Sequence, residues 1–102
     1  MSSIVLFDVQ HLYYLPQYLP VAKVLKSQDV EVRFILHKEA GYDEIKAQKL
    51  DEEQFDYCFI SGKSYAFEFY KQQEVDWIIF GNVPPFPSKD KALLHAKLAL
   101  MQ

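Results

Sequence analysis

The chain predicts an α/β fold: one open parallel sheet, covered on both faces by helices. Three observations carry this. Four apolar runs, Ile4-Val5-Leu6-Phe7, Val32-Arg33-Phe34-Ile35-Leu36, Tyr57-Cys58-Phe59-Ile60 and Trp77-Ile78-Ile79-Phe80, are continuous rather than alternating, the pattern of strands buried on both faces. Helical segments lie between them. Each run ends in a small polar group: Asp8-Val9-Gln10-His11, His37-Lys38, Ser61-Gly62-Lys63 and Gly81-Asn82. In an open parallel sheet, ligands bind outside the carboxyl ends of the strands, so these groups mark the expected site.

The first strand is placed at Ile4 to Val9. Leu15, Tyr18, Leu19, Ala22 and Leu25 then recur at helical spacing. Pro16 and Pro20 fall near the start of that helix. Proline is tolerated in the first turn and not in the interior, so either a new helix starts at Pro20 or the helix kinks there. The second strand is Glu31 to Leu36. Gly41 and Tyr42 lead into a short, weakly amphipathic helix near Asp43 to Leu50.

The third and fourth strands, Tyr57 to Ser61 and Trp77 to Gly81, share a pattern: Asp56 and Asp76 each precede an aromatic, an apolar run and a glycine. Between them Ser64 is a candidate cap for a helix carrying Ala66, Phe69 and Tyr70. Pro84-Pro85-Phe86-Pro87 is a stiff connection, and Ser88 a cap for a helix reaching about His95. Lys97 to Gln102 reads either as helical continuation or, from the alternation of Leu98 and Leu100, as a strand. Right-handed crossovers give a Rossmann-like three-layer α/β/α arrangement with strand order 3-2-1-4 and any fifth strand outside the fourth. Residues 1–102 form a single domain, read as cut before its fifth strand delivers a loop.

Composition narrows the function. Half of the 102 residues are apolar and 16% are aromatic, enough for a packed core. The net charge of -3 supplies no global positive field for nucleic acid. No apolar stretch spans a bilayer, and Met1-Ser2-Ser3 lacks the basic flank of a signal peptide, so the expected location is cytoplasmic. The single cysteine, Cys58, sits inside an apolar strand and is expected to be a buried thiol in a reducing compartment.

The first β/α connection contains no glycine, so it lacks the dinucleotide fingerprint. There is no phosphate-binding loop, no nucleophile elbow and no Cys/His metal spacing, and no metal is expected. What remains is the strand-end constellation. His11, His37, Lys38 and Lys63 are cation-capable. Ser61, Gly62, Gly81 and Asn82 offer hydroxyl, amide and backbone donors, and Asp8, Gln10, Tyr13 and Gln17 flank them. Together they suit an anionic ligand, with helix N-termini adding partial positive charge. Taken singly, the lysines also read as solvated loop residues, and Tyr13, Tyr14 and Tyr18 as core and rim. His11 is the candidate catalytic residue, because an imidazole titrates near ~6.5 and Asp8 is close enough in sequence to orient it.

The string Tyr14-Leu15-Pro16-Gln17-Tyr18-Leu19-Pro20 after His11-Leu12-Tyr13, together with Phe80-Gly81-Asn82, resembles the N-terminal part of the CDP-glycerol glycerophosphotransferase-like enzymes of bacterial wall teichoic acid synthesis. The resemblance implies the N-terminal, acceptor-side half of a GT-B fold. It implies transfer of a polyol phosphate from a CDP-activated donor to a lipid-linked acceptor, at the inner face of the cell membrane. The donor site would lie in a C-terminal domain, with no cofactor in this chain, which would be inactive alone. The family's His-Gly motif has no counterpart in these 102 residues. Two other readings stand beside this one: a freestanding module that binds a phosphate-bearing small molecule, and a non-catalytic interaction domain.

Overall fold

A computed structural model describes residues 3–61, 69, 70, 72, 74–81 and 97–100, the last four as backbone. Five strands, β1 (Ile4–Val9), β2 (Glu31–His37), β3 (Asp56–Ile60), β4 (Trp77–Phe80) and β5 (Lys97–Leu100), form one sheet in the order β3-β2-β1-β4-β5. Every pairing is parallel. The expected order 3-2-1-4 is present, the fifth strand lies outside the fourth, and the Lys97 segment is a strand rather than a helix. The architecture is a Rossmann-like α/β fold.

Strand alternation divides the core in two. Val5, Phe7 and Val9 of β1 and Val32, Phe34 and Leu36 of β2 face one side. There they meet Leu15, Tyr18 and Ala22 of α1 (Leu15–Ser27), Leu50 of α2 (Asp43–Glu52) and Phe55. Leu6, Ile35, Ile60, Ile78 and Phe80 face the other side, where Tyr70 and Val75 cover them. α1 and α2 therefore share a face, and the helical Tyr70 between β3 and β4 packs on the opposite one. The sheet's switch point lies between β1 and β4.

A single turn of 3-10 helix (Leu12–Tyr14) precedes α1, and α1 then runs unbroken through Pro20. Pro20 leaves the Pro16 carbonyl without its helical donor. Both residues are exposed, so water reaches that carbonyl and the helix continues. Weak amphipathicity in α2 has a specific cause: its buried stripe is Lys46 and Leu50, whereas Ile45 is exposed. Cys58 is exposed, contrary to expectation. Its strand β3 is a sheet edge with an open burial pattern, and an apolar run at an edge is not enclosed as a central strand is. The expected helices beginning at Ser64 and Ser88 fall largely outside the described residues; Phe69 and Tyr70 are helical.

Candidate functional site

Asp8, next to last in β1, carries a carboxylate that is wholly buried. It points to the face of the sheet shared with Leu6, in register with Ile35 and Phe80. His37, two residues beyond Ile35 on β2, donates from Nε2 to Asp8 Oδ1 at 2.5 Å. Tyr70 donates its hydroxyl to the same oxygen, and Gln10 Nε2 donates to Oδ2 at 3.2 Å. Tyr18 reaches from α1 to the Asp8 carbonyl at 3.0 Å. A carboxylate can be buried only when donors replace its water, and here three side chains do so. Burial, and next the Asp8 charge, hold the Tyr70 and Tyr18 hydroxyls above their ordinary pKa. The His37 Nδ1 is buried and has no hydrogen-bond partner among the described residues.

The second cluster lies in the connections after β1 and β2. Glu39 accepts from His11 Nδ1 on Oε2 at 3.0 Å, and from the Leu12 backbone N–H on Oε1 at 3.2 Å. Lys46, fully buried on α2, lies 3.0 Å from the same Oε1 and donates to the His37 carbonyl at 2.9 Å. These contacts join the two clusters through the backbone of β2. The hydrogen bond from His11, foremost, and those from Lys46 and Leu12 hold the Glu39 carboxyl below the ordinary glutamate pKa. The Glu39 carbonyl accepts from Tyr42 N at 3.0 Å, closing a turn whose third residue, Gly41, has φ +86°. That conformation suits glycine and belongs to a type II turn. It brings Tyr42 beside Glu39, and with Leu12 and Tyr13 they line an open cleft of about 280 Å³.

The partner expected for His11 is corrected by this geometry. Asp8 does not orient it; Glu39 does. Asp8 lies within the strand and its side chain turns under the Tyr70 segment, whereas His11 lies in the loop beyond, where the β2–α2 connection reaches it. Asp8, Gln10 and His37 are buried as one internal network. His11 is part-exposed, with 41% of its side chain accessible, and stacks on Tyr13 at a ring separation of 5.3 Å. Tyr13, Gln17, Lys38 and Ser61 are exposed. Gly62, Lys63 and Asn82 lie outside the described residues.

Gly81 has a packing role of its own. A Cβ there would stand 2.7 Å from Tyr14 Cδ1 and 2.7 Å from the Tyr18 hydroxyl. The two rings therefore close against the end of β4, and among the described residues an open cleft lies at the β1 and β2 loops. The cation-capable side chains there mostly face carboxylates: His37 faces Asp8, and His11 and Lys46 face Glu39. Among the described residues this leaves Lys38 as the strand-end cation with no ion pair to offer an anion. No three His, Cys, Asp or Glu side chains gather as a metal site among them. No described helix is long and apolar enough to cross a membrane.

Sequence reasoning missed Glu39, Lys46 and Tyr70. Glu39 lies one residue beyond the strand-end group it recognised. Lys46 is spaced i, i+4 from Leu50 on the inner stripe of α2, a detectable signal masked by its charge. Tyr70 is 62 residues from Asp8, and nothing local links them. No family model matches the chain, and no curated protein or solved structure matches it.

Proposed function

We propose that this chain is the acceptor-side domain of a transferase resembling the CDP-glycerol glycerophosphotransferases. In this reading a polyol phosphate passes from a CDP-activated donor, held by a following domain, to a lipid-linked acceptor at the inner membrane face. His11 deprotonates the attacking acceptor hydroxyl. The observation that carries the reading is the His11–Glu39 pair at the carboxyl edge of the sheet. Glu39 binds Nδ1–H and so fixes the tautomer that leaves Nε2 as a lone-pair acceptor on a part-exposed ring. A base oriented by a carboxylate, beside an open cleft, suits removal of a proton from an alcohol.

The experiment uses protein that carries this domain together with a donor domain. Transfer of glycerol phosphate from CDP-glycerol to a lipid-linked acceptor is measured for wild type and His11→Ala. Turnover is expected to fall ~10²- to 10⁴-fold, the usual effect of losing a general base, while the protein stays folded and loses only the small contribution of the part-exposed His11–Glu39 bond. Glu39→Gln should lower turnover less, because the base remains and only its orientation weakens. Wild-type turnover in folded His11→Ala protein would remove His11 from the chemistry.

A further inference from the structure

β3 is one margin of the sheet and, among the described residues, pairs with β2 alone. The direction of its outer backbone groups follows from its inner ones. Lys38 N donates to the Ile60 carbonyl, so Ile60 turns its N–H and C=O toward β2. Backbone direction alternates along a strand, so Asp56 and Cys58 turn inward with it. Tyr57 and Phe59 turn their N–H and C=O outward.

Open margins are commonly guarded by lysine, proline or a bulge. Asp56-Tyr57-Cys58-Phe59-Ile60 has neither residue, and its register with β2 is unbroken. An outward row of donors and acceptors with no guard is a template for another strand.

The side chains say which strand fits. β3 has five residues, with Cys58 at the centre. A second copy laid antiparallel about a twofold axis at Cys58 sets Tyr57 opposite Phe59, Asp56 opposite Ile60 and Cys58 opposite itself. Tyr57 and Phe59 own the outward groups, so each exchanges both backbone bonds with its opposite. Their rings share one face of the sheet and stand edge-on at 6.1 Å within the chain. Pairing adds an aromatic contact across the seam on each side of the axis. Asp56 meets isoleucine, so no like charges oppose each other. Cys58 falls at a non-hydrogen-bonded pair, where Cα atoms stand about 4.5 Å apart and only small side chains fit without strain. Cys58 is small and exposed. Moving the axis to Tyr57 or Phe59 shortens the overlap. On the Cys58 side an open cavity of about 190 Å³, lined in part by Leu6, Ile35, Cys58 and Phe69, leaves the approach clear among the described residues. The strand is thus complementary to itself, as a twofold interface requires.

We propose that β3 pairs with β3 of a second copy, antiparallel about a twofold axis at Cys58, and joins the two sheets into one. The seam is short, so the association is weak, with a Kd of roughly 10 μM to 1 mM. It does not depend on the transferase reading, because the seam runs along the side of the sheet and the His11–Glu39 pair lies at the strand ends.

The test uses the 102-residue chain under reducing conditions. Sedimentation equilibrium from about 10 μM to 1 mM should show a monomer–dimer equilibrium for wild type and equally for Cys58→Ser, which keeps a small side chain. Hydrogen exchange at the Tyr57 and Phe59 amides should slow as concentration rises, while the Cys58 amide, bonded to β2, changes little. Cys58→Lys places like charges opposite each other and should weaken the dimer roughly fivefold. Phe59→Pro removes an outward N–H that β2 does not use, and should abolish the dimer. Spectra report whether each variant is folded; should Phe59→Pro not fold, Cys58→Lys at an exposed position carries the comparison.

A second measurement uses the thiol. The diazene oxidant diamide takes two electrons and two protons from two thiols and becomes a hydrazine, leaving a disulfide between copies. The Cα separation of about 4.5 Å lies within the range a disulfide spans. Cross-linking of wild type should be several-fold faster than that of folded Phe59→Pro at equal concentration.

A chain that stays monomeric to 1 mM would overturn the proposal. So would Tyr57 and Phe59 amides whose exchange ignores concentration, or a dimer of unchanged Kd in Cys58→Lys or folded Phe59→Pro, which would place the interface elsewhere. Equal cross-linking rates in wild type and folded Phe59→Pro would mean that the thiols meet by random collision, and would overturn it as well.

Discussion

At the scale of single residues, Asp8 is the group whose surroundings are most demanding. Three side-chain donors converge on it in a fully buried position. Asp8→Ala strands all three, and breaking a buried pair in this way costs about 3–5 kcal/mol. The urea midpoint should fall by roughly 1–3 M, while Asp8→Asn, which keeps one acceptor, should lose less than half as much. An Asp8→Ala midpoint equal to wild type would mean the network does not hold the core. The two tyrosines on Asp8 make a second prediction. Their folded pKa values are raised, by burial first and by Asp8 next. The unfolded chain therefore releases these protons first, so the contribution of the two tyrosines to stability is constant below about pH 10 and falls above it. Tyrosinate absorbance should show a step for Tyr18 and Tyr70 that coincides with loss of circular dichroism. Glu39 has the opposite sign: its folded pKa is lowered, so its contribution is present above about pH 4.3 and is lost as pH falls through the folded value. The stability gap between wild type and Glu39→Gln should close in acid, and should shrink in high salt because the carboxylate is part-exposed.

At the scale of elements, both helices end by the same device. After α1, Asp29 N donates to the Lys26 carbonyl and Val30 N to the Leu25 carbonyl. After α2, Gln54 N donates to Asp51 and Phe55 N to Leu50. These are Schellman motifs, each followed by an apolar residue that packs back onto the core. The left-handed position is held by Asp29 at φ 64° and by Gln54 at φ 61°, where glycine is unstrained. Gln54→Gly should raise stability by roughly 0.5–1 kcal/mol, a few degrees in melting temperature. The contact that Lys26 makes to the Gln54 carbonyl survives, since it uses the backbone. Gly81 answers in the other direction. A methyl group there meets the Tyr14 and Tyr18 rings, and Tyr18 is fixed by its bond to the Asp8 carbonyl. Gly81→Ala should cost about 1–3 kcal/mol in thermal unfolding, the usual effect of overpacking.

At the scale of the whole molecule, the strand order sets where stability and access lie. β1 is paired on both sides, with β2 and β4, and carries core residues on both faces. β3 is an edge with a half-open burial pattern. Native-state hydrogen exchange should therefore be slowest in Val5 to Asp8 and Phe34 to Leu36, and at least tenfold faster at the amides of β3 not bonded to β2. Equal protection across β3 would mean that its outer edge is covered. The same topology brings the loops after β1 and β2 together at one edge, so the network from Tyr70 to His11 spans adjacent strands and needs no long-range adjustment.

The fold was legible because it depends on local quantities. Continuous apolar runs, helical spacing from Leu15 to Leu25 and polar strand ends are properties of neighbouring residues, and parallel β/α topology follows from them with few alternatives. The edge where the polar strand ends meet was legible for the same reason. Which polar groups meet there was not. Asp8 and His11 are close in sequence, yet strand alternation turns Asp8 beneath Tyr70 and delivers His11 to Glu39. Cys58 sits in an apolar run like those of the central strands, and the place of β3 at the edge leaves it exposed. Lys46 reads as a surface lysine until the two loops supply a carboxylate and a carbonyl for its ammonium. The amino-acid order by itself determined the first four strands, the helices α1 and α2, the strand order and the end of the sheet where the polar strand ends meet, while the Lys97 segment was left open between helix and strand. Pairing among buried charges was decided by tertiary structure, because a carboxylate takes the donors that reach it in space: Gln10 is a chain neighbour of Asp8, but the other donors to Asp8 and Glu39 come from β2, residue 70, the loop after β1 and α2.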